Sequence, residues 1–271
     1  CIKQVPDSAQ IRIHPVTNTI MRQGVPAIIN PYDLFSLEEA LRLKDRFGGR
    51  VTVLTMGPPM AEASLRKALS FGATDAVLLT DRKFAGSDTL ATSYALTSAI
   101  RKLHEEEPVD LVFCGKQTID GDTAQVGPGI ATRLNLQQLT YVAKIEDVNL
   151  ESREITVQRR SEGGVQVLKS RLPAMITMLE GSNTMRFGTM DDMFRAARTP
   201  LKTWSKDTCV DDENKVGLKG SPTVVSKVFV PKPRAEKAKM IEAEGGAEAQ
   251  AAAAIDMLFT TYPKLANDLV R

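Results

Sequence analysis

The chain has 271 residues with 35 basic and 33 acidic side chains, so its net charge is close to zero. That balance gives no electrostatic footprint for nucleic acid, and no apolar run is long enough to predict membrane insertion. The three cysteines, Cys1, Cys114 and Cys209, lie far apart and predict neither a disulfide framework nor a metal site. Since the only histidines are His14 and His104, away from any nucleophile context, we expect chemistry from a cofactor and a cytoplasmic location.

Strand and helix patterns alternate through the first half of the chain. The opening residues resemble the second half of a strand, so we expect native residues ahead of Cys1. Asn30 suits a helix N-cap with Pro31 at the first helical position. Strands are predicted at 1–5, 51–56, 73–79 and 109–113, helices at 30–48, 61–70 and 90–103, and an alternating excursion outside the main sheet at 11–21. This order predicts an α/β fold, an open parallel sheet with helices on both faces.

The stretch 109–128 is the centre of the functional prediction, because a buried strand opens there into a polar loop after Gly115. A strand, a glycine-containing loop and a helix start leave backbone N–H groups and a helix dipole for an anion such as phosphate. Taken alone, an ordinary turn capped by Asp122 or Thr123 explains the loop more simply. The loops at 3–7, 56–59 and 81–89 leave the same edge of the sheet, where ligands bind in such folds.

The pattern changes after Thr140. Alternating segments at 141–150, 153–160 and 165–178 predict an antiparallel ribbon extending from the sheet. Residues 181–220 are polar and mixed, which predicts an extended arm, and 221–229 predict a short strand. Two helical pieces joined at Gly245 and Gly246 are predicted over 235–270. Because an arm and a detached helix bury little apolar surface locally, we expect them to dock on another chain.

Three blocks of this sequence resemble the beta subunit of electron-transfer flavoproteins, and the similarity extends over essentially the whole chain. They are KQVPD at 3–7 with NPYD at 30–33, GKQTIDGDTAQVGP at 115–128, and VQRRSEGGVQVLKSRLPAMIT at 157–177. Chance agreement of three ordered blocks is much rarer than that of one loop. The third block resembles the family signature most specifically, at Arg159, Glu162, Gly163, Gln166, Leu168, Pro173 and Thr177.

The resemblance implies a Rossmann-like domain that pairs with a larger alpha subunit in a heterodimer and binds an adenine nucleotide at the converging loops. Ordinary members hold AMP in this subunit, whereas electron-bifurcating members hold a second FAD and react with NADH. The segments DRKFAGSDT at 81–89 and TMGPP at 55–59 resemble the bifurcating branch and favour FAD. The alternatives are a non-bifurcating subunit with structural AMP and, in another class, an ATP-binding stress-protein-like module.

By the same resemblance, the FAD takes a hydride from NADH and divides the electrons between ferredoxin or flavodoxin and the alpha-subunit FAD. That second flavin serves a flavin-dependent dehydrogenase of the acyl-CoA or lactate type. No side chain is an obvious catalytic acid or base. In ordinary members a loop after the signature inserts a leucine into the dehydrogenase. Here Ser182 falls at that position, with Leu179 and Met185 as nearby apolar candidates.

These expectations divide the chain into a flavin-binding α/β domain with its ribbon at 1–178, a partner-contacting loop and arm at 179–234, and a C-terminal helical segment at 235–271. That last segment is expected to dock on the alpha subunit.

The segment before the third helix has small residues where a flat ring would approach. Ala85 and Gly86 lack bulk, and Asp88 and Thr89 can meet a ribityl chain or ring heteroatoms. The plainer alternative is an ordinary helix entry, in which Asp88 caps the helix and Phe84 packs in the core.

The other expected cofactor contacts come from the remaining loops. Lys116 could neutralise a diphosphate, while Asp122 would have to cap N–H groups rather than face the anion. The expected cofactor-binding set is Cys1, Lys3, Asn30, Tyr32, Asp33, Val53, Met56, Gly57, Phe84, Ala85, Gly86, Asp88, Thr89, Lys116, Gly121, Asp122, Thr123, Ala124, Gln125, Val126 and Gly127.

Overall fold

The computed structural model describes residues 1–7, 12–13, 20–21, 26–226 and 240–265. The chain forms two compact units, Cys1–Val228 and Phe229–Arg271. The strands of the first unit are β1 (Gln4–Pro6), β2 (Arg12–Ile13), β3 (Ile20–Met21), β4 (Ala27–Ile29), β5 (Thr52–Met56), β6 (Asp75–Leu79), β7 (Leu111–Gly115), β8 (Gln137–Asn149), β9 (Glu154–Ser161), β10 (Gly164–Arg171), β11 (Ala174–Met178) and β12 (Lys202–Trp204). Its helices are α1 (Pro31–Phe47), α2 (Glu62–Ser70), α3 (Thr89–Glu106), α4 (Val126–Leu134), α5 (Met190–Arg198) and α6 (Lys206–Cys209).

Parallel strands form the centre of the first unit. One sheet has the order β12-β6-β5 and a second has the order β10-β9-β8-β11-β7. The first residues of the chain lie between β5 and β7, because the Ile2 N–H donates to the Leu54 carbonyl and the Cys1 amino nitrogen donates to the Phe113 carbonyl. With helices on both faces of these strands, the predicted α/β architecture is confirmed.

The central strands are apolar throughout because both of their faces are covered. On β5, Val53 packs in a cluster with Leu37 and Leu65 of α1 and α2. The next residue, Leu54, packs in the opposite cluster with α3 and α4 residues that include Ile130. Fully burying one such side chain contributes about 1.5–3 kcal/mol. A parallel strand therefore needs a continuous apolar run rather than an alternating one.

The predicted ribbon differs from the structure at its last strand. The strands β8, β9 and β10 do pair antiparallel. Residues 174–178, however, form β11, which is wholly buried and lies parallel between β7 and β8. The run AMITM shows no alternation because neither of its faces meets solvent. The sheet is therefore completed by a strand that comes late in the sequence.

The structure also differs from the predicted extended arm. Helix α5 begins at Thr189 with a reciprocal capping box to Asp192, and β12 pairs parallel with β6. Only Ala196 of α5 is buried, so the helix carries little of the inward apolar pattern that sequence reasoning uses.

The segment after residue 220 has less regular structure. Its described residues 221–226 contain no strand, and 227–229 lie outside the described residues. In the second unit, α7 (Gly246–Thr261) includes the predicted helix at 247–258. Of the predicted helical piece before Gly245, residues 235–239 lie outside the described residues, and residues 240–244 form no helix.

Candidate functional site

Asp33 ties three backbone segments together at the carboxyl edge of the sheet. Its carboxylate accepts hydrogen bonds from the Lys3 N–H at 2.7 Å and the Gly115 N–H at 3.1 Å. Burial raises the pKa of Asp33 to about 6, although these two bonds favour the anion. A Cβ at Gly115 would lie 2.4 Å from the Asp33 carboxylate, so only glycine allows this approach.

Asn30 fixes the loop that follows β7. Its buried amide donates to the Gln117 carbonyl at 2.8 Å and accepts from the Ile119 N–H at 3.2 Å. Pro31 opens α1 as expected, but Asn30 does not cap the helix with its side chain, because both polar atoms are used by the loop. Gln117, which sequence reasoning missed, also donates to Asp122 at 2.8 Å.

The loop before α4 presents a row of backbone N–H groups. Asp122 and Ala124 adopt left-handed φ values of 52° and 54°. Alternating conformations of this kind turn successive N–H groups toward one concavity that suits an anion. Within the described residues, the N–H groups of residues 123–127 have no hydrogen-bond partner, and α4 begins at Val126. The start of the helix adds its positive dipole to the same place. We refer to residues 123–127 as the N–H nest.

Two lysines of this edge are already paired. The Lys3 ammonium lies 2.8 Å from both carboxylate oxygens of Asp120. Burial alone would raise the pKa of Asp120, but its hydrogen bonds, led by those from Lys3, together hold that pKa below its usual range. Lys116 lies 3.8 Å from Glu180 and 5.5 Å from the ring centre of Tyr32. The N–H nest therefore offers an anion the free donors that these two lysines do not.

The segment before α3 contacts the N–H nest. Asp88 caps α3 by accepting from the N–H groups of Leu90 and Ala91, each at 3.0 Å. The next residue, Thr89, donates its hydroxyl to the Gln125 side chain at 2.8 Å. Asp88 therefore caps the helix, as the plainer alternative predicted. Thr89 connects the start of α3 to the loop before α4.

The expected cofactor-binding residues fall into three groups. Val53 and Phe84 are buried in the apolar clusters, so their side chains are not brought to the loop edge. Cys1 and Met56 are half-buried and pack at the margin of the α3 cluster. The structure places the remainder beside Asp33 and Asp88, in the segments that follow β5, β6 and β7, or at the start of α1, α3 and α4: Lys3, Asn30, Tyr32, Gly57, Ala85, Gly86, Thr89, Lys116, Gly121, Asp122, Thr123, Ala124, Gln125, Val126 and Gly127.

A cavity of about 530 Å³ lies at the opposite edge of these strands, away from the loops. Residues at the amino ends of β5 and β7, including Thr52 and Leu111, line it. It therefore does not belong to the site that the loops form.

The two apolar residues predicted to contact a partner pack against the protein itself. Leu179 is only 1% exposed, and Met185 packs against the α1–α2 cluster. Phe187 is 93% exposed and Met190 is 68% exposed. Arg186, which lies between Met185 and Phe187, donates to both carboxylate oxygens of the buried Glu38. The strongly exposed apolar side chains of this part of the chain are therefore Phe187 and Met190.

Comparison with known proteins defines the class of this chain. A family model described as the electron transfer flavoprotein domain matches residues 17–208. The chain belongs to the electron transfer flavoprotein family and is an electron-transfer protein of its beta-subunit type. This assignment excludes the alternative of an ATP-binding stress-protein-like module.

Individual relatives narrow the assignment. "Protein FixA" of Azotobacter vinelandii is 67% identical over 273 residues, covering 100% of this chain and 97% of the relative. "Protein FixA" of Bradyrhizobium diazoefficiens is 66% identical, covering 99% of this chain and 93% of the relative. The "Electron transfer flavoprotein subunit beta" of Thermoanaerobacterium thermosaccharolyticum is 47% identical, covering 85% of this chain and 86% of the relative.

Among the described residues, no helix has the length and apolarity needed to cross a membrane. No group of His, Cys, Asp and Glu side chains within the same residues could hold a metal ion.

Proposed function

We propose that this chain is the beta subunit of an electron-bifurcating electron transfer flavoprotein and binds FAD at its loop edge. The observation that carries the proposal is the N–H nest, whose free donors and helix dipole suit the diphosphate of a dinucleotide. Asp33 and Asn30 hold the neighbouring loops, and the left-handed turn at Gly86, with φ of 74°, lets the backbone approach a flat ring.

When bound, FAD would supply the redox chemistry by taking a hydride from NADH and passing its electrons separately to ferredoxin or flavodoxin and to the alpha-subunit FAD. The chain's own residues would bind and orient it. Thr123 to Gly127 would donate backbone hydrogen bonds to phosphate oxygens. Lys3 and Lys116 would compensate the carboxylates of Asp120 and Glu180, so that little negative charge opposes a diphosphate.

The proposal includes the partners. The alpha subunit completes the heterodimer, and a flavin-dependent dehydrogenase, of acyl-CoA or lactate type, receives electrons at an exposed apolar surface. We call this surface the outer face of α5. It consists of Phe187, Met190, Met193 and Phe194. A cytoplasmic location is part of the same proposal.

The described helix of the second unit suits an interface with the alpha subunit. None of the residues of α7 is buried, and its apolar residues Ala251, Ile255 and Leu258 follow a heptad-like spacing of four and three positions. Such a seam is the pattern by which one helix packs on another. A lone helix of this length is marginal in water without such packing.

The second candidate is a non-bifurcating beta subunit with structural AMP. It is favoured by one observation: the Asp88 carboxylate serves as a helix cap instead of remaining free for a longer ligand. AMP would need only the N–H nest and the loops around Asn30 and Asp33.

Counting the nucleotides released by denaturing the purified heterodimer separates the candidates. Two FAD and no AMP per heterodimer are expected for the bifurcating protein, and NADH should reduce the bound flavin. One FAD with one AMP would reject the proposal in favour of the second candidate. Treating the heterodimer with an unrelated apo-flavoprotein as FAD trap supplies the control for loosely held flavin.

A further inference from the structure

A segment outside the predicted cofactor site packs directly on the loop before α3. Val216 is buried in the α3 cluster. Gly217 follows with φ of 61°, and a Cβ there would lie 2.0 Å from the Lys83 carbonyl, so the backbones are in contact. The Leu218 side chain lies 2.6 Å from the position of a Cβ on Gly86. We call residues 216–223 the clamp segment.

Hydroxyl groups join the clamp segment to the loop. The Ser221 hydroxyl accepts from the Asp88 N–H at 2.8 Å and donates to the Gly217 carbonyl at 2.7 Å. The Gly217 N–H in turn donates to the Ser87 hydroxyl at 3.0 Å. Thr223 donates to the Asp88 carboxylate through its hydroxyl at 2.8 Å and its N–H at 3.2 Å.

These bonds use all of the acceptor capacity of Asp88. One carboxylate oxygen accepts the two N–H groups at the start of α3, and the other accepts both donors of Thr223. A carboxylate offers about four lone-pair sites. Burial alone would raise the pKa of Asp88, but these bonds, led by the one from Ala91, hold it below its usual value. Asp88 is thus an ionised anchor rather than a free ligand.

Asp88 is adjacent in sequence to Thr89, the residue that bonds the N–H nest. Thr89 follows Asp88 and donates to the side chain of Gln125, whose own N–H belongs to the nest. A shift of Asp88 would therefore move the donor that holds Gln125. The clamp segment is thus connected to the N–H nest by its hydrogen bonds to Asp88, the peptide bond from Asp88 to Thr89, and the hydrogen bond from Thr89 to Gln125.

We propose that Ser221 and Thr223 are positioning residues of the nucleotide site, holding Asp88 and the start of α3 where the loop 84–89 and Gln125 receive the cofactor. This inference rests on the proposed function in placing a nucleotide at the N–H nest, whether FAD or AMP. It adds Ser221 and Thr223, which lie 133 and 135 positions from Asp88 in the sequence. The clamp segment is then a wall of the site and not a passive linker.

The test measures nucleotide release from the intact heterodimer carrying Thr223→Val, Ser221→Ala or both. Each change removes a hydroxyl while keeping similar volume. Because a hydrogen bond to a charged group contributes about 1.5–3 kcal/mol, the double variant should release nucleotide about tenfold faster or more. Thr223→Ser keeps the hydroxyl and should stay within about twofold of the unmodified protein.

Two controls separate positioning from general destabilisation. Thr199→Val removes a hydroxyl that bonds only the Arg195 carbonyl at 2.8 Å, and should leave release unchanged. Thr223→Val should also lower the unfolding temperature of the nucleotide-stripped heterodimer, because the bond from the Thr223 hydroxyl to Asp88 is present without a ligand. Positioning is therefore read from nucleotide release compared at equal distance below each variant's unfolding temperature, where Thr223→Val should still release faster than Thr199→Val. If Thr223→Val does not fold, Ser221→Ala provides the same measurement.

Release is followed by chromatography of whichever nucleotide the protein carries. Finding AMP instead of FAD would reject the bifurcation proposal while the release rates still test the positioning residues. Unchanged release in the double variant, or release from Thr223→Ser as fast as from Thr223→Val, would overturn the inference.

Discussion

Arg66 and Arg195 each bind the carboxyl-terminal carbonyls of the other's helix. Arg66 on α2 donates to the Thr199 carbonyl at 2.5 Å, just beyond α5, and Arg195 on α5 donates to the Leu69 carbonyl at 2.8 Å on α2. Carbonyls at a helix end have no partner within the helix, so both groups are satisfied by this exchange. The exchange fixes α5 with its outer face directed to solvent.

Replacing Arg66 by methionine tests that role. The variant keeps the aliphatic stem but loses the charged donors, and we expect the free energy of unfolding to fall by about 2 kcal/mol. Urea titration measures the loss, and Lys67→Met on the same helix is the matched control, because the Lys67 side chain contacts only the Phe71 ring among the described interactions. Equal stability of the two variants would contradict the capping role.

If the outer face of α5 contacts the dehydrogenase, a charge on this face should slow electron delivery to it. Met190→Glu places a charge on a strongly exposed apolar position, and we expect at least about tenfold slower electron delivery to the dehydrogenase, since one desolvated charge costs more than 1.4 kcal/mol. Nucleotide content should be unchanged. Stopped-flow reduction of the dehydrogenase measures the rate. Leu150→Glu, at the exposed β8–β9 turn, is the control, and equal slowing by both variants would show that this face is not the contact.

Because Glu38 is buried, removing its partner Arg186 should lower the stability of the protein strongly. Burial alone would raise the pKa of Glu38, but the bonds from Arg186 hold it below its usual range. Arg186→Met leaves that carboxylate buried with only Arg42 and the backbone N–H of residue 186 as donors, so stability should fall by about 3 kcal/mol. Arg46→Met breaks an exposed pair with Asp147 and should cost less than about 1 kcal/mol. Denaturant unfolding of both variants distinguishes the two environments, and similar losses would contradict the buried pairing.

Asp33 predicts a pH-dependent stability. Since burial raises its pKa from 3.8 to about 6, the folded chain holds more protons than the unfolded chain between these values. Stability should therefore decline as the pH rises through this window, by up to about 3 kcal/mol, and then level off above pH 6. Asp33→Asn should lack this component, which unfolding curves recorded from pH 4 to 7 can measure. A parallel pH profile in the variant would show that the carboxyl titrates normally.

Sequence reasoning predicted those parts of the fold whose pattern is local. The strand at Val53 and the helix around Leu65 follow from continuous or periodic apolar residues next to glycine and proline turns. The late central strand around Met175 could not be separated from the ribbon, because its place between β7 and β8 depends on pairing with segments far away in sequence. Helix α5 was missed because long-range arginine bonds and a capping box, rather than apolar burial, hold it.

In the candidate site too, features with a local sequence pattern were predicted and features that depend on distant residues were not. The loop around Gly121 was located from the rule that ligands bind beyond the carboxyl ends of parallel strands. The role of Asn30 was not predicted, because its side chain had several polar partners available and only the folded backbone selects among them. For Asp88 the helix cap was one of two predicted alternatives, and the structure shows that cap. The clamp residue Thr223 has no local signal at all, since its partner is 135 residues away.

The place of β11 in the sheet also constrains how the chain folds during its synthesis. Strands β7 and β8 are both held by a strand that ends at Met178, so the middle of the sheet stays open until that residue has left the ribosome. Pairings between segments distant in sequence form slowly, because the intervening loop must be closed first. The N–H nest before α4 lies between these two strands in the sequence. Nascent chains shorter than this therefore expose unpaired strand edges, and a chaperone that covers them would act before any cofactor can bind.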